Sequence, residues 1–441
     1  MLGLVLAVSV ICVEVKAEVF RLVAPHLEIP KSPDPPKPPV PKPFLSRMGE
    51  APNWAELDAF QYRITRQDFE YLLGHCYVME SSEAERWISL HDRYVEIVTQ
   101  SNYAESVPYR LHFAAGPCYP KTEVKYWRSV LAQPPFDPND ENPLVGAKIA
   151  VDPGHIGGKW VTWDDRDFKI GTETMRVREG EMTLKVAKIL QRDLTALGAQ
   201  VFLTRESNEP VTSHRPEDLK DEARAYLIQR KKIPSSGMIA DTAKKMFAIS
   251  GDIQARADLL NHSFQPDLVL CLHFNAIPWG RSPSFRTGNH LHLLCNGAYT
   301  ATEVREDDSR FEMIMRIVQR IYYEEAALAD ALSRSMAKET RLPAFGGYRS
   351  GAKKISQNPY IWARNLVANR TYMCPVIFFE PYCMNDRRVF ARIQAGEYRG
   401  LREFEGIYKK NIYQEYADGI TSGLMKYFRT YRPRYSSDLP D

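Results

Sequence analysis

The sequence predicts an α/β fold: a mostly parallel sheet flanked by helices in the C-terminal domain, preceded by a small α+β N-terminal module. Three observations carry this reading. From Lys148 onward, short apolar runs alternate with longer segments of helical periodicity, the pattern of parallel strands joined by crossover helices. Ahead of Lys148 the periodic segments are short and hairpin-like. Two proline-rich stretches, 29–44 and 133–143, separate the parts.

The chain has 441 residues, 44% hydrophobic and 26% charged, with a formal net charge of +3. That near-balance gives no electrostatic case for nucleic acid as a partner. It opens "MLGLVLAVSVICVEVKAEVF", in which the apolar run Met1–Val13 is too short to span a bilayer. Val15 and Ala17 stand where a small-residue cleavage site would be. Residues 1–17 therefore read as a signal peptide of an exported, periplasmic or envelope-associated protein, although no Lys or Arg precedes the run. A buried first strand is the alternative. Residues 18–53, with "IPKSPDPPKPPVPKPF", read as an extended proline-rich spacer.

Residues 54–128 form the small module. "ITRQDFEYLL" predicts a helix capped by Thr65, and "RWISLHDRYVEIVT" predicts a hairpin turning at its "HD". No catalytic constellation occurs there, so binding or spacing is its expected role. Residues 129–146, with "QPPFDPNDENP", read as a linker. Of the seven cysteines, Cys76 and Cys118 are the pair to expect if any is oxidised, and Cys271 reads as a buried thiol in a core strand.

Residues 147–430 form the α/β domain, ahead of a tail at 431–441. "KIAVD", "AQVFLTR", "DLVLCLH" and "PVIFFE" are its strands; "EMTLKVAKILQRDLTALG", "GDIQARADLLNHS", "EEAALADALSRSMAKETR" and "EYADGITSGLMKYF" are its helices. Three strands end on polar residues: "IAVD" leads to His155, "DLVLCL" to His273 and "VIFF" to Glu380. In open α/β sheets the functional crevice lies beyond the carboxyl ends of the strands. Glu179 is a fourth candidate, just ahead of the first long helix, whose N-terminus could face the same edge. Two histidines and a carboxylate with a position left for water make a catalytic zinc set, and a further carboxylate can move protons. Solvated loop residues are the alternative reading.

"IAVDPGHIGG", "REGEMTLKVAKIL…L…GAQVFLTR", "RADLLN…DLVLCLHFNA" and "PVIFFEPYCMN" resemble, in order, the blocks of zinc-dependent N-acetylmuramoyl-L-alanine amidases of the cell-wall hydrolase type. The resemblance implies a Zn2+ enzyme acting on peptidoglycan, cutting the amide between the lactyl group of N-acetylmuramic acid and L-alanine. It implies His155, Glu179 and His273 as metal ligands, Glu380 as general base and then acid, and Asn275 as a substrate-lining residue. Asp152, Gly154, Gly157 and Gly158 are expected to shape the loop, and Arg256 and Asp267 to serve structural pairing. A protein activator and the oligomeric state are left open.

Some features depart from the family pattern. Glu181 is the fallback ligand if helix phase turns Glu179 away. Trp160, Trp163 and Asp164 form either a sugar-stacking lip or a packed loop. The long segments 206–250 and 278–320 are surface decoration, or one of them covers the cleft. His290 and His292, in "GNHLHLLCN", are rival ligands or a polar strand face. Two other functions fit the same residues: a non-catalytic cell-wall binding protein, and a zinc peptidase or deacetylase.

Overall fold

A computed structural model of the chain describes residues 42–104, 106–116, 125–137, 142–163 and 167–434, with backbone alone at 161–163. The leader at 1–17, the spacer as far as residue 41, Cys118, the Trp163 side chain and Asp164 lie outside the described residues.

In the N-terminal region the local signals act as the sequence predicts. Thr65 Oγ1 accepts the Asp68 backbone N–H at 3.1 Å and starts α1 (Arg66–Leu72). The hairpin forms β1 (Ile88–Leu90) and β2 (Tyr94–Ile97), and β3 (Tyr109–His112) adds antiparallel to β2. Val95 and Ile97 face inward and Tyr94 and Glu96 outward, the period of two that one covered face requires.

The α/β part runs β4 (Lys148–Pro153), α2 (Glu179–Ala196), β5 (Gln200–Leu203), α3 (Lys220–Gln229), α4 (Ser236–Lys245), α5 (Asp252–Asp258), β6 (Leu268–Leu272), β7 (Leu291–Cys295), α6 (Asp307–Val318), α7 (Ile321–Thr340), β8 (Lys353–Lys354), β9 (Ile361–Ala363), β10 (Val376–Pro381) and α8 (Ile412–Tyr431). The seven strands from β4 on lie in the order β8-β9-β7-β10-β6-β4-β5. Strands β5, β4, β6 and β10 are parallel; β7 runs antiparallel to β10, and β9 follows β7 in parallel. This is the mostly parallel sheet that the alternation predicts.

The strands read as continuous apolar runs because both faces are covered. On one side α2, α7 and α8 bury Val186, Leu190, Leu332, Met336, Ile420 and Leu424. Gly419 and Gly423 let α8 lie close to α7: a Cβ at these positions would come within 2.6 Å of Met336 Sδ and 2.9 Å of Leu332 Cα. On the other side Ala257, Leu260, Ala368 and Tyr372 cover Ala150, Val269, Cys271 and Phe378. Cys271 is a buried free thiol, as expected; Cys76 is one too, its Sγ donating to Asn296 O at 3.3 Å.

The domain boundaries differ from those the prolines suggest. Leu57, Phe69, Leu72 and Val95 of the module share one apolar core with Ile314 and Ile317 of α6 and with the sheet, and Pro41–Asp441 cluster as one unit. The described residues of the segment read as a linker are packed. Arg128 and Gln133 both bond to Asp267, and the buried Arg432 donates to the carbonyls of Pro134 and Pro143. Proline blocks helix and strand pairing, yet its carbonyl still accepts, and here an arginine uses it. The spacer predicted to reach residue 53 is already docked at Phe44. That ring is buried, the Phe44 backbone N–H donates to Asp307 at 2.9 Å, and the guanidinium groups of Arg230 and Arg305 each lie 4.2 Å from the ring centroid. Ser46 N–H donates to Asp308 at 2.8 Å. Arg230 belongs to the 206–250 segment and Arg305 to the 278–320 segment, so one short stretch ties both together.

Candidate metal centre and its cleft

His155 sits where β4 gives way to a turn, and its φ is +61°, a left-handed conformation that side chains other than glycine take at a cost. Buried arginines hold that turn. Arg256 Nη1 donates to Pro153 O and Nη2 to His155 O, both at 2.9 Å, while Arg205 donates to Pro153 O at 3.1 Å and Gly180 O at 2.5 Å. Arg256 is itself fixed by Asp152 and Asp252 at 2.8 and 2.6 Å. Its partners are thus these two acids; Asp267 pairs instead with Arg128. Asp152 also accepts from Thr204 and Tyr372, so it shapes the loop, as expected. Burial pushes the Asp152 carboxyl up, but the Arg256 charge and these hydrogen bonds outweigh it and leave it lowered.

The glycines around His155 answer to close approach. A Cβ on Gly154 would overlap the His273 ring, and one on Gly180 would overlap Ile156 O. With those Cβ atoms absent, the start of α2 reaches the turn, and Glu179 Oε1 lies 3.3 Å from His155 Nε2 and 3.2 Å from His273 Nδ1. The Phe274 N–H also donates to Glu179, at 2.9 Å. One ligand atom from each of His155, Glu179 and His273 lies within 4.8 Å of the others, a set able to hold a metal ion. Burial pushes the Glu179 carboxyl up, but the two histidines, His155 first, outweigh it and hold it well below the usual carboxylate range. Burial depresses the His273 imidazole, and its bond to Glu179 offsets only part of this. An ionised carboxylate beside a neutral imidazole is the protonation state metal ligation needs. The His273 ring stacks on Phe378, centroids 4.0 Å apart, which fixes its plane.

The triad opens into a cleft of about 600 Å³ that also takes in Glu380, Asn275, His290, His292, Tyr348 and Arg364. Glu380, half-buried at the end of β10, is the cross-strand partner of His292. Asn275 Nδ2 donates to His290 Nε2 at 3.2 Å. Glu181 points elsewhere, accepting from Gly158 N–H and Arg178. His290 and His292 are in the cleft but outside the metal set: His292 Nε2 bonds to Tyr348 OH at 2.6 Å, and both rings pack on Phe345. Trp160 is a packing residue, its Nε1 donating to Glu209 and its ring against Phe247. Both long segments supply cleft wall, the first through Ala248 and Ile249, the second through Pro278, His290 and His292. The sequence reading missed Tyr348 and Arg364; they follow no strand or helix signal, and Arg364 stands just past the three-residue strand β9.

A family model described as N-acetylmuramoyl-L-alanine amidase matches residues 149–422. The germination-specific N-acetylmuramoyl-L-alanine amidase of Bacillus subtilis (strain 168) is 29% identical over 183 residues, which is 41% of this chain; the chain spans 60% of that relative's length. Among solved structures, the N-acetylmuramyl-L-alanine amidase of Mycobacterium smegmatis is similar at 16% identity and a TM-score of 0.37, covering 65% of this chain and 99% of that one. The CwlD amidase from Clostridioides difficile, solved in complex with the GerS lipoprotein, is similar at 10% identity and a TM-score of 0.37, covering 64% and 98%.

Proposed function

The chain belongs to the N-acetylmuramoyl-L-alanine amidase family, and from that premise we propose that it is a zinc amidase hydrolysing the bond between N-acetylmuramic acid and L-alanine in peptidoglycan. The observation that carries this is the meeting of His155, Glu179 and His273, from segments far apart in the chain, within 4.8 Å of one another and in one cleft with Glu380. Two imidazoles and a carboxylate are the donor set of catalytic zinc sites, in which a further position is left for water. When bound there, the ion supplies Lewis acidity, polarising the amide carbonyl and easing deprotonation of water.

The chain's own side chains do the rest. Glu380 takes the proton from the attacking water and returns it to the nitrogen of the departing L-alanine, so a single carboxylate serves as base and then acid. Phe274 N–H and the two imidazoles keep Glu179 ionised and in place. Asn275, oriented by His290, offers its amide to the substrate. Export to the cell envelope belongs to the same proposal and rests on the apolar run Met1–Val13; N-terminal sequencing of the mature protein tests it.

Digestion of purified sacculi tests the activity, with products read by mass spectrometry. The amidase releases peptides that begin with free L-alanine and leaves glycan strands intact. Glu380→Gln is expected to lower kcat by about 10²- to 10⁴-fold while keeping the metal. Cleavage within the peptide, or loss of acetyl groups instead, would assign the site to a peptidase or deacetylase. Undiminished release by the variant would remove Glu380 from the chemistry.

A further inference from the structure

We propose that Arg364, with Tyr348 and His292 around it, anchors a carboxylate on the peptide arm of the substrate; the inference rests on the amidase reading above. The reversed direction of β7 is the starting point. Because β7 runs against β10, its first residues lie at the edge where β4, β6 and β10 end, and His292 sits directly across from Glu380. Strand β9 follows β7 with Trp362 opposite Leu294, and the Arg364 N–H continues the ladder to Cys295 O at 3.1 Å. With a side-chain period of two, Glu380, His292 and Arg364 project from the same face. All three line the cleft that contains the metal set.

By the same register Arg364 is level with Asn296, farther along β7 from Glu380, so it belongs to the part of the cleft that runs over β7 and β9, and charge says what that part takes. Four buried arginines are matched to acids, Arg256 to Asp152 and Asp252, Arg316 to Glu325, Arg370 to Glu312 and Arg392 to Glu415, and two more, Arg205 and Arg432, donate to backbone carbonyls. Arg364 is half-buried and lies 5.3 Å from the centre of the Tyr348 ring, and no carboxylate among the described residues pairs with it. Its guanidinium interacts with the Tyr348 hydroxyl but has no acid among the described residues, and its remaining donors fit a carboxylate in two-point contact. Beside it, His292 is 1% exposed, with Nε2 on the Tyr348 hydroxyl and Nδ1 without a partner among the described residues. A cleft of about 600 Å³ holds considerably more than the reacting amide. Of the two arms of the substrate, the sugar is uncharged around the scissile bond and the peptide carries carboxylates. The cation therefore draws the peptide arm toward β7 and β9.

The test uses two synthetic muramoyl peptides that differ only in whether the α-carboxyl of the residue after L-alanine is free or amidated. The full zinc-loaded chain is expected to prefer the free acid by about ten- to a hundredfold in kcat/KM, mostly through KM. Arg364→Gln should bring that ratio close to one, and Arg364→Lys should restore part of it. Calorimetric titration of the released peptides, acid and amide, gives a readout independent of turnover. Equal use of both substrates by the wild type, or an unchanged ratio in Arg364→Gln, overturns the anchor while leaving the amidase reading intact. No cleavage of either substrate, with Arg364-dependent binding of the acid peptide, does the reverse. Should Arg364→Gln fail to fold, the wild-type ratio and the Arg364→Lys ratio decide: a preference that weakens in the lysine variant supports the anchor, and none in either overturns it.

Discussion

Two pairs of histidines share one cleft, and their surroundings are opposite. His155 and His273 flank the Glu179 carboxylate at 3.3 and 3.2 Å, at the ends of strands that run the same way. His290 and His292 stand on a strand that runs backward, packed on Phe345 with a tyrosine hydroxyl and an asparagine amide as partners. Burial holds the His292 ring down to a pKa of about 3. What sets the first pair apart is the carboxylate between its two rings, which on the proposed zinc reading would balance the cation's charge in a site withdrawn from water.

Metal analysis would break or confirm this contrast most sharply. His155→Ala and His273→Ala should take bound zinc from one per chain to none and abolish hydrolysis, whereas His290→Ala and His292→Ala should keep one zinc; mass-spectrometric metal counting after dialysis reads this directly. Retained zinc in both of the first variants would erase the difference between the pairs. The next largest effect is expected at the support of the turn. Arg256→Met leaves Asp152 and Asp252 buried without a cation, and denaturant unfolding should show a loss of about 3–5 kcal/mol.

Gly154→Ala probes the same pair more gently. The added methyl meets the His273 ring, so zinc affinity should fall by about 10- to 100-fold, while Gly280→Ala, with open space around it, should change nothing. The smallest effect is a pH dependence of the second pair. His292 is neutral in the folded chain far below its ordinary value of 6.5, so the unfolded state binds the extra proton. Its contribution to stability is complete above about 6.5 and declines as pH falls toward about 3. Melting of the metal-free protein across that window should show a decline that His292→Asn flattens.

The meeting of His155, Glu179 and His273 was legible because each of these three residues closes a strong local pattern. His155 and His273 follow apolar runs, and Glu179 opens a helix whose leucines repeat at helical spacing. The rest of the cleft was not. The pair His290 and His292 shows a strand's alternation but not its direction, and direction decides whether those rings meet the active edge or the far one. Arg364 and Tyr348 depend on a three-residue strand and an irregular loop, too short for any periodicity to register. The prolines misled in a different way. At 133–143 they predicted a free linker, because a missing N–H is visible in sequence and a carbonyl accepting from the distant Arg432 is not.

The docking of Phe44 between Arg230 and Arg305 couples the two long segments through a single aromatic ring. Each of those segments also lends residues to the cleft, so a substitution that empties this seat is felt on both sides of the cleft at once.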